Sequence, residues 1–471
     1  MIRATIGPCL LFVLACGAAP AADPRPDVWL LTVDTLRADR LGFAGHPGAR
    51  TPHLDRLARE GVVFSDAQTP VPRTTQSIAS IFTGRYPSQH GVLRLGDVLA
   101  PEASTLAEML RGAGYWTGAV SANGVAGPGQ GLDQGFEAFT DSATLHERYG
   151  VPTRGIRGAE PAVGSAEAAT REALRMLESA SSPRLLWVHY MDPHFMYNPP
   201  APFNQVVDWR RFTFYRDRLR VRPVQAATFF DHRGLSKRWL PEVSALYDAE
   251  VAYVDHWIGR LLEAADRDTL VVLTSDHGES LGEHGYYFEH GDFVYQASMA
   301  IPLVFHWPDR IAAGVRIDAP VTSLDILPTL LGLVGLEPSS GSDVAGVDLA
   351  AHLRGGAASQ PAVPRVHYGM SGEALLQGNP RREQGGPRWN MVRRGRWKLV
   401  RAPGKEGVRF ELYDLEADPI ESTDLATHEP KRVAELAALL GRGPAAPRAP
   451  AALPTLPPEV EAELRALGYV E

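Results

Sequence analysis

The sequence predicts an α/β/α sandwich: a mostly parallel central sheet between two layers of helices, followed by a small C-terminal antiparallel sheet subdomain with a helix. Three observations carry this. Apolar runs at 28–33, 115–120, 184–190, 269–275 and 301–307 are rich in Val, Leu and Trp without strict alternation, as befits strands covered on both faces. Helical patterns lie between these runs, and alternation of strand and helix implies a layered α/β domain. After about Gly355 the texture changes to strand-like stretches at 388–400 and 408–413 and a helical stretch at 430–440.

Between the runs, Thr105-Leu106-Ala107-Glu108 has the spacing of a capping box, and Gly112 and Gly114 can stop the helix that it starts. Over 242–266, Leu246, Tyr247, Val251, Val254, Ile258 and Leu261 recur at three- and four-residue spacing, which predicts an amphipathic helix. Residues 77–82 read as a helix start, with Thr74 just ahead of its N-terminus. The expected organisation is a leader at 1–22, a catalytic α/β domain at 27–355, an α+β subdomain at 356–442, and a Pro/Ala-rich linker with a short helical tail at 443–471.

The N-terminus reads as an export signal: Arg3 precedes an apolar run, Cys9 to Ala15, too short to span a bilayer. Val13-Leu14-Ala15-Cys16 resembles a bacterial lipoprotein box, which would place a lipid on Cys16; Ala19-Pro20-Ala21 offers an ordinary cleavage site instead. The expectation is a periplasmic or cell-envelope lipoprotein, with a secreted soluble protein as the alternative. Its contact with a membrane would be that lipid alone. Cys9 and Cys16 are the only cysteines, so the mature chain has no disulfide, thiolate zinc site or cysteine nucleophile. The net charge of −8 over 471 residues argues against nucleic acid as a partner. Within 208–238 there are nine Arg and Lys against three Asp, a solvated insertion or a rim that attracts anions.

Three turns bearing carboxylates or histidines come directly after expected strands: Asp34, Asp276-His277, and the stretch from His189 to His194. In open α/β sheets ligands bind outside the carboxyl ends of the strands, so these turns can meet in one crevice. Oxygen ligands with one imidazole suit Ca²⁺, Mg²⁺ or Mn²⁺. Thr74, ahead of a helix N-terminus that favours anions, can serve as a nucleophile if a cation lowers its hydroxyl pKa. Thr75 competes with it and is disfavoured by spacing only. His194 and His290 can donate a proton to a leaving group. His189, inside an apolar run, reads as a satisfied core histidine, and Asn123 reads as facing the crevice.

Several segments, in order, resemble the sulfatase family of the alkaline phosphatase superfamily. Val71-Pro72-Arg73-Thr74-Thr75-Gln76-Ser77-Ile78, ending in Thr83-Gly84-Arg85, resembles its nucleophile segment; Val33-Asp34-Thr35-Leu36-Arg37 resembles its first metal motif; Ser275-Asp276-His277-Gly278-Glu279 resembles its second. Arg394 to Leu399 and Glu411 to Leu415 resemble its C-terminal subdomain. The resemblance implies Asp34, Thr74, Asp276 and His277 as metal ligands, Thr74 as nucleophile, and Asn123, His194 and His290 on the substrate. It favours Ca²⁺ as the one divalent cation, with Mg²⁺, Mn²⁺ and Zn²⁺ as alternatives. It implies a small, glycan or lipid anionic ester as substrate. Thr74 stands where the family carries the Cys or Ser that becomes formylglycine, and Thr35 stands where many members have a second Asp. Gln76 and Ile78 hold the family's Pro and Arg positions. The implied activity is hydrolysis of sulfuric or phosphoric esters through a threonyl intermediate. Alternatives are phosphodiester or phosphonate hydrolysis, transfer to an alcohol as in phosphoethanolamine transferases, and an inactive lipoprotein that binds anionic glycans.

Overall fold

The computed structural model describes residues 25–94, 97–151, 165–208, 239–355, 365–372, 388–404 and 407–444. The leader with Cys16, the basic stretch beyond Asp208 and the tail beyond residue 444 lie outside the described residues.

The fold is the expected sandwich. Its strands in chain order are β1 (Val28–Val33), β2 (Val62–Gln68), β3 (Trp116–Ser121), β4 (Ala138–Thr140), β5 (Arg184–Tyr190), β6 (Leu270–Ser275), the short β7 (Ser280–Leu281) and β8 (Tyr287–Glu289), β9 (Ala300–His306), β10 (Val315–Ile317) and β11 (Val321–Thr322). The central sheet runs β10-β2-β9-β6-β1-β5-β3-β4, with β11 also on β2. Within β1, Val28 and Leu30 face one apolar layer while Trp29, Leu31 and Val33 face the other. Both faces of the sheet are therefore dry, which explains why the strand runs do not alternate with polar residues.

The first layer is built on helices α2 (Thr74–Thr83), α3 (Leu106–Gly112) and α6 (Ile326–Leu333). The second is built on α1 (Pro52–Glu60), α4 (Ser165–Leu177) and α5 (Leu240–Leu262). The capping box of α3 is present in both directions: Glu108 N–H donates to Thr105 Oγ1 at 3.2 Å and Thr105 N–H to Glu108 Oε2 at 2.9 Å. No helix among the described residues is long and apolar enough to cross a membrane.

Strand β9 departs from the parallel pattern, running antiparallel to both β2 and β6. After β6 the chain leaves at the carboxyl end of the sheet, makes the β7–β8 pair there, and re-enters from that same end. Without a crossover helix the returning strand must be antiparallel.

The C-terminal sheet has four antiparallel strands, β12 (Val366–Met370), β13 (Asn390–Arg394), β14 (Trp397–Gly404) and β15 (Gly407–Asp414), beside α7 (Pro430–Leu440). The stretch expected as one strand over 388–400 is thus two. Arg394 pairs with Trp397 across a two-residue turn whose Gly395 has φ 59, a left-handed conformation that glycine adopts freely. Arg393 pairs with Asp66 of β2, and Lys398 Nζ donates to Gln296 Oε1 at 3.1 Å, fastening this sheet to the larger sandwich.

Candidate active site

Strand β1 lies between β5 and β6, and Val33 is level with Tyr190 on one side and Ser275 on the other. Asp34, Met191 and Asp276 therefore leave the sheet side by side. Asp34 N–H donates to Tyr190 O at 2.9 Å, which keeps the loop after β1 against β5. Its Oδ2 accepts from Asn123 Nδ2, two residues past β3, at 2.5 Å. Asp276 Oδ1 accepts from its neighbour His277 N–H at 2.8 Å and from Thr35 N–H at 3.2 Å.

Thr74 begins α2 instead of preceding it: Arg73 is extended at φ −151, and Ser77 N–H donates to Arg73 O at 2.9 Å, closing the first turn. Gly84 at φ 63 ends the helix, with its N–H on Ser80 O at 2.9 Å. Ser77 Oγ donates to Asp276 O at 2.7 Å, pinning the first turn to the end of β6. Thr74 Oγ1 then lies 3.3 Å from His277 Nε2. The neighbouring Thr75 turns its hydroxyl away to Val125 O at 2.7 Å. Gln76 Nε2 donates to Leu93 O at 3.3 Å and Ile78 is in the first apolar layer, so neither reaches the crevice.

His277 donates from Nδ1 to Gly278 O at 3.0 Å, which leaves Nε2 with its lone pair toward Thr74 and Asp276 Oδ2, 3.3 Å away. His290, just beyond β8, stacks near it with ring centroids 4.3 Å apart, and His194 meets His290 edge-on at 5.1 Å. His290 Nδ1 is 2.9 Å from Glu279 Oε1, whose other oxygen accepts from Tyr197 Oη at 3.1 Å. His194 Nδ1 is 2.5 Å from Phe195 O. All seven residues singled out from the sequence, Asp34, Thr74, Asn123, His194, Asp276, His277 and His290, thus belong to one buried constellation. None is more than 6% exposed.

Its electrostatics are those of groups removed from water. Burial, and next the nearby charge of Asp34, push the Asp276 carboxyl well above the ordinary range. Burial pushes His277 well below the ordinary histidine range, and burial does the same to His290. Burial lifts Glu279 to about 7 against the opposing His194 and Tyr197. Two carboxyl groups and the His277 imidazole in one dry pocket are a donor set that a divalent cation would complete. Orphaned atoms fit that reading: Asp34 Oδ1 and Asp276 Oδ2 are buried without a hydrogen-bond partner.

Sequence reasoning missed three participants. His189 is not a satisfied core residue: its Nε2 is buried without a hydrogen bond, and it groups with Asp34 and Asp276 so that one ligand atom of each lies within 4.8 Å of the others. Tyr247 of α5 holds the loop after β1 by donating to Thr35 O at 2.8 Å and accepting from Arg37 N–H at 2.9 Å. Arg37 joins the loops after β1 and β6, donating to Glu279 O at 3.0 Å and to Glu283 Oε1 at 2.7 Å. Only His189 had a visible signal, as a histidine inside an otherwise apolar stretch of strand. His90 and His284 stay outside the site: His90 bonds Ser80 Oγ at 3.0 Å, and His284 stacks on Tyr295.

The model of the family described as Sulfatase matches residues 26–336, two thirds of the chain. The chain belongs to the sulfatase family. A second model, for the C-terminal part of N-sulphoglucosamine sulphohydrolase, matches residues 282–441. Among curated relatives, the steryl-sulfatase of Mus musculus is 29% identical over 448 residues, covering 76% of this chain and 70% of its own. Arylsulfatase A of Homo sapiens is 28% identical over 379 residues, covering 74% and 71%. Among solved structures, the phosphonate monoester hydrolase of Agrobacterium radiobacter superposes with a TM-score of 0.70 at 24% identity, over 89% of this chain and 95% of that one. A protein solved with its substrate D-glucosamine-2-N,6-O-disulfate superposes with a TM-score of 0.68 at 21% identity, over 89% and 97%. The sulfatase-family chain described here is accordingly an ester hydrolase built on that fold.

Proposed function

We propose that this sulfatase-family hydrolase cleaves sulfuric or phosphoric esters with Thr74 as a nucleophile that forms a covalent intermediate. The observation that carries the reading is the seating of Thr74 on the first turn of α2, against His277, while the adjacent Thr75 hydroxyl is engaged by Val125 O. Asp34, Asp276, His277 and Thr74 itself are the residues that would hold one divalent cation. Bound there, the cation would lower the hydroxyl pKa and neutralise the anionic ester oxygens.

The remaining chemistry falls to side chains. The N-terminal turn of α2 presents backbone N–H groups that favour an anion. Asn123 orients Asp34 and borders the same crevice. Thr74 Oγ1, its proton released to solvent, forms a bond to sulfur or phosphorus as the ester oxygen departs, and that oxygen takes a proton from His194, or from His290 Nε2 as Glu279 passes its own proton to Nδ1. Glu279 on His290 Nδ1 holds the imidazole so that Nε2 faces inward. Water then attacks the threonyl ester at sulfur or phosphorus, releases the inorganic anion and returns the proton to Thr74.

Threonine lacks the second hydroxyl by which formylglycine expels sulfate, so the second step must be attack at the central atom. That chemistry is easier at phosphorus, and it favours phosphate or phosphonate esters. The chain is further proposed to work in the cell envelope, exported by its leader and carrying a lipid on Cys16.

The test is turnover of an aryl sulfate, an aryl phosphate diester and a phosphonate monoester by purified protein with added Ca²⁺, Mg²⁺, Mn²⁺ or Zn²⁺, beside Thr74→Ala. Loss of turnover in Thr74→Ala with metal binding kept is expected. Undiminished turnover in that variant would sink the nucleophile assignment, and bound metal without turnover on any ester would point to a binding protein.

A further inference from the structure

We propose that His189 is a ligand of the divalent cation, joining Asp34, Thr74, Asp276 and His277, so that two imidazoles, two carboxylates and the Thr74 oxygen hold the ion. The inference rests on the reading that this site binds a cation, and it adds a ligand and a metal preference to it.

The geometry begins in the sheet register. Thr32 of β1 and His189 of β5 are Cα partners, so both side chains leave the same face. Thr32 Oγ1 lies 2.8 Å from His189 Nδ1 and accepts from Trp187 Nε1 at 2.9 Å, and the His189 ring is stacked against Trp187. The ring is therefore fixed in place and orientation. A hydroxyl can accept two hydrogen bonds while donating one. Thr32 Oγ1 can accept from both Trp187 Nε1 and His189 Nδ1 while its own proton turns toward Val188 O at 3.5 Å, and in that tautomer, the one a cation would select, the lone pair of His189 is on Nε2.

That nitrogen points at Asp34 Oδ2 from 3.6 Å, too long for a hydrogen bond. It is fully buried and has no other partner. Asp34 Oδ1 and Asp276 Oδ2 are buried and unpartnered in the same place, and the three residues offer ligand atoms within 4.8 Å of one another. With both carboxyl groups ionised and the lone pair of His189 on Nε2, three acceptors would face and repel one another, each desolvated at a cost of about 1–3 kcal/mol. A cation between them removes both penalties. The neighbouring Thr35 Oγ1 is also buried without a partner, but a neutral hydroxyl brings no charge to the centre.

Imidazole nitrogen suits Mn²⁺, Fe²⁺ or Zn²⁺, whereas Ca²⁺ and Mg²⁺ prefer oxygen throughout. A centre with two imidazoles should therefore prefer Mn²⁺ or Zn²⁺ to the Ca²⁺ that family resemblance favours.

The experiment is calorimetric titration of the metal-stripped full chain with Mn²⁺ and with Ca²⁺, for wild type, His189→Gln and Asp276→Asn. Pulsed electron paramagnetic resonance of the Mn²⁺ form counts the coordinated ring nitrogens. His189→Gln should weaken Mn²⁺ by about 100-fold or more, at or above what loss of a supporting group costs a metal site. Ca²⁺ should weaken less, since the amide oxygen can replace the ring for a hard ion. Wild-type Mn²⁺ protein should show two coordinated imidazoles and His189→Gln one.

Unchanged Mn²⁺ affinity in His189→Gln, with Asp276→Asn impaired, would overturn the assignment of His189 and leave the cation site standing. Unimpaired binding in Asp276→Asn would bring down the cation reading itself. If His189→Gln does not fold, the wild-type nitrogen count decides: two supports the proposal, and one or none refutes it.

Discussion

Replacing Tyr247 by Phe should both destabilise the fold and loosen the metal loop. The Tyr247 hydroxyl is wholly buried on α5 and serves two backbone groups of the loop after β1, the carbonyl of Thr35 at 2.8 Å and the N–H of Arg37 at 2.9 Å. Phenylalanine keeps the ring and its edge-on contact with Tyr197 but leaves both groups unpartnered. Each should cost about 1–3 kcal/mol, partly offset because the hydroxyl no longer has to be desolvated, so the net loss is about 2–4 kcal/mol. Thr35 adds to this. It sits at φ 55, an unfavourable conformation for a β-branched residue, and its N–H is one of the two donors on Asp276 Oδ1. Once Tyr247 releases the carbonyl, Thr35 can relax and withdraw that donor. Metal affinity should then fall by about 10–100-fold, the usual effect of removing a group that orients a ligand. Urea denaturation of the metal-free protein should show a lower midpoint with an unchanged slope, and Mn²⁺ titration should show the weaker site. A Tyr247→Phe protein within about 0.5 kcal/mol of wild type, the scatter expected of an unimportant substitution, with unaltered metal affinity, would refute the reasoning.

Buried groups outside the crevice and the two threonines carry further predictions. Burial raises the Glu172 carboxyl, but Arg175 and Arg148, with Thr140 and Tyr149, outweigh it and hold it down at about 2. Its folded pKa lies below the unfolded one, so its contribution is complete above about pH 4.5 and is lost as pH falls toward 2; exposure of both arginines limits it to about 1–2 kcal/mol. Glu172→Gln should remove that part of the acid dependence in melts between about pH 5 and 2. Asp255 has the opposite sign. Burial pushes its carboxyl up to about 7 even though it accepts N–H bonds from Leu54 at 2.8 Å and His53 at 3.1 Å. Stability is full below about pH 4 and declines as pH rises through 7, and Asp255→Asn should gain about 4 kcal/mol on wild type across that window. Thr75→Val should keep turnover within a few-fold, because its hydroxyl is spent on Val125 O, whereas Thr74→Ala should lose it; equal losses would mean that the nucleophile is misassigned.

The strand ends were legible because burial on both faces leaves a mark in the composition: β1 and β5 have the expected bounds to the residue. The long helix α5 was legible from its period, and the site turns from the carboxylates and histidines placed just past the strands. Helix α4 left a weaker mark. Its buried face is mostly alanine, at positions 166, 168, 169 and 173, close against α5, so it carries no large apolar stripe. The direction of β9 depends on where the chain re-enters the sheet, which no local pattern encodes. The same holds for side chains whose meaning is relational. Tyr247 reads as one more apolar helix position until α5 is laid across the β1 loop. His189 reads as core until the register sets it beside Thr32 and its far nitrogen emerges next to Asp34.

What separates this constellation from an ordinary buried polar network is that each member is tied down at one atom and left open at another. Asp276 is held through Oδ1 by two backbone donors, Asp34 through Oδ2 by Asn123, His189 through Nδ1 by Thr32, and His290 through Nδ1 by Glu279. The atoms left without partners are Asp276 Oδ2, Asp34 Oδ1, His189 Nε2 and His290 Nε2. A network that served stability alone would pair these atoms, because each orphan is costly in a dry interior. Here the scaffold holds every group in place and leaves one atom open, as the proposed roles require: a cation for the first three, and a leaving oxygen for the fourth. Thr74 obeys the same rule. Its methyl group is enclosed at the start of α2, where β-branching restricts the side chain to few rotamers. The hydroxyl thereby stays between His277 Nε2, 3.3 Å away, and the Asp276 carboxyl. A serine in this place would have the same oxygen but more freedom to turn it toward the backbone. In the proposed mechanism threonine is thus a nucleophile held in position by packing.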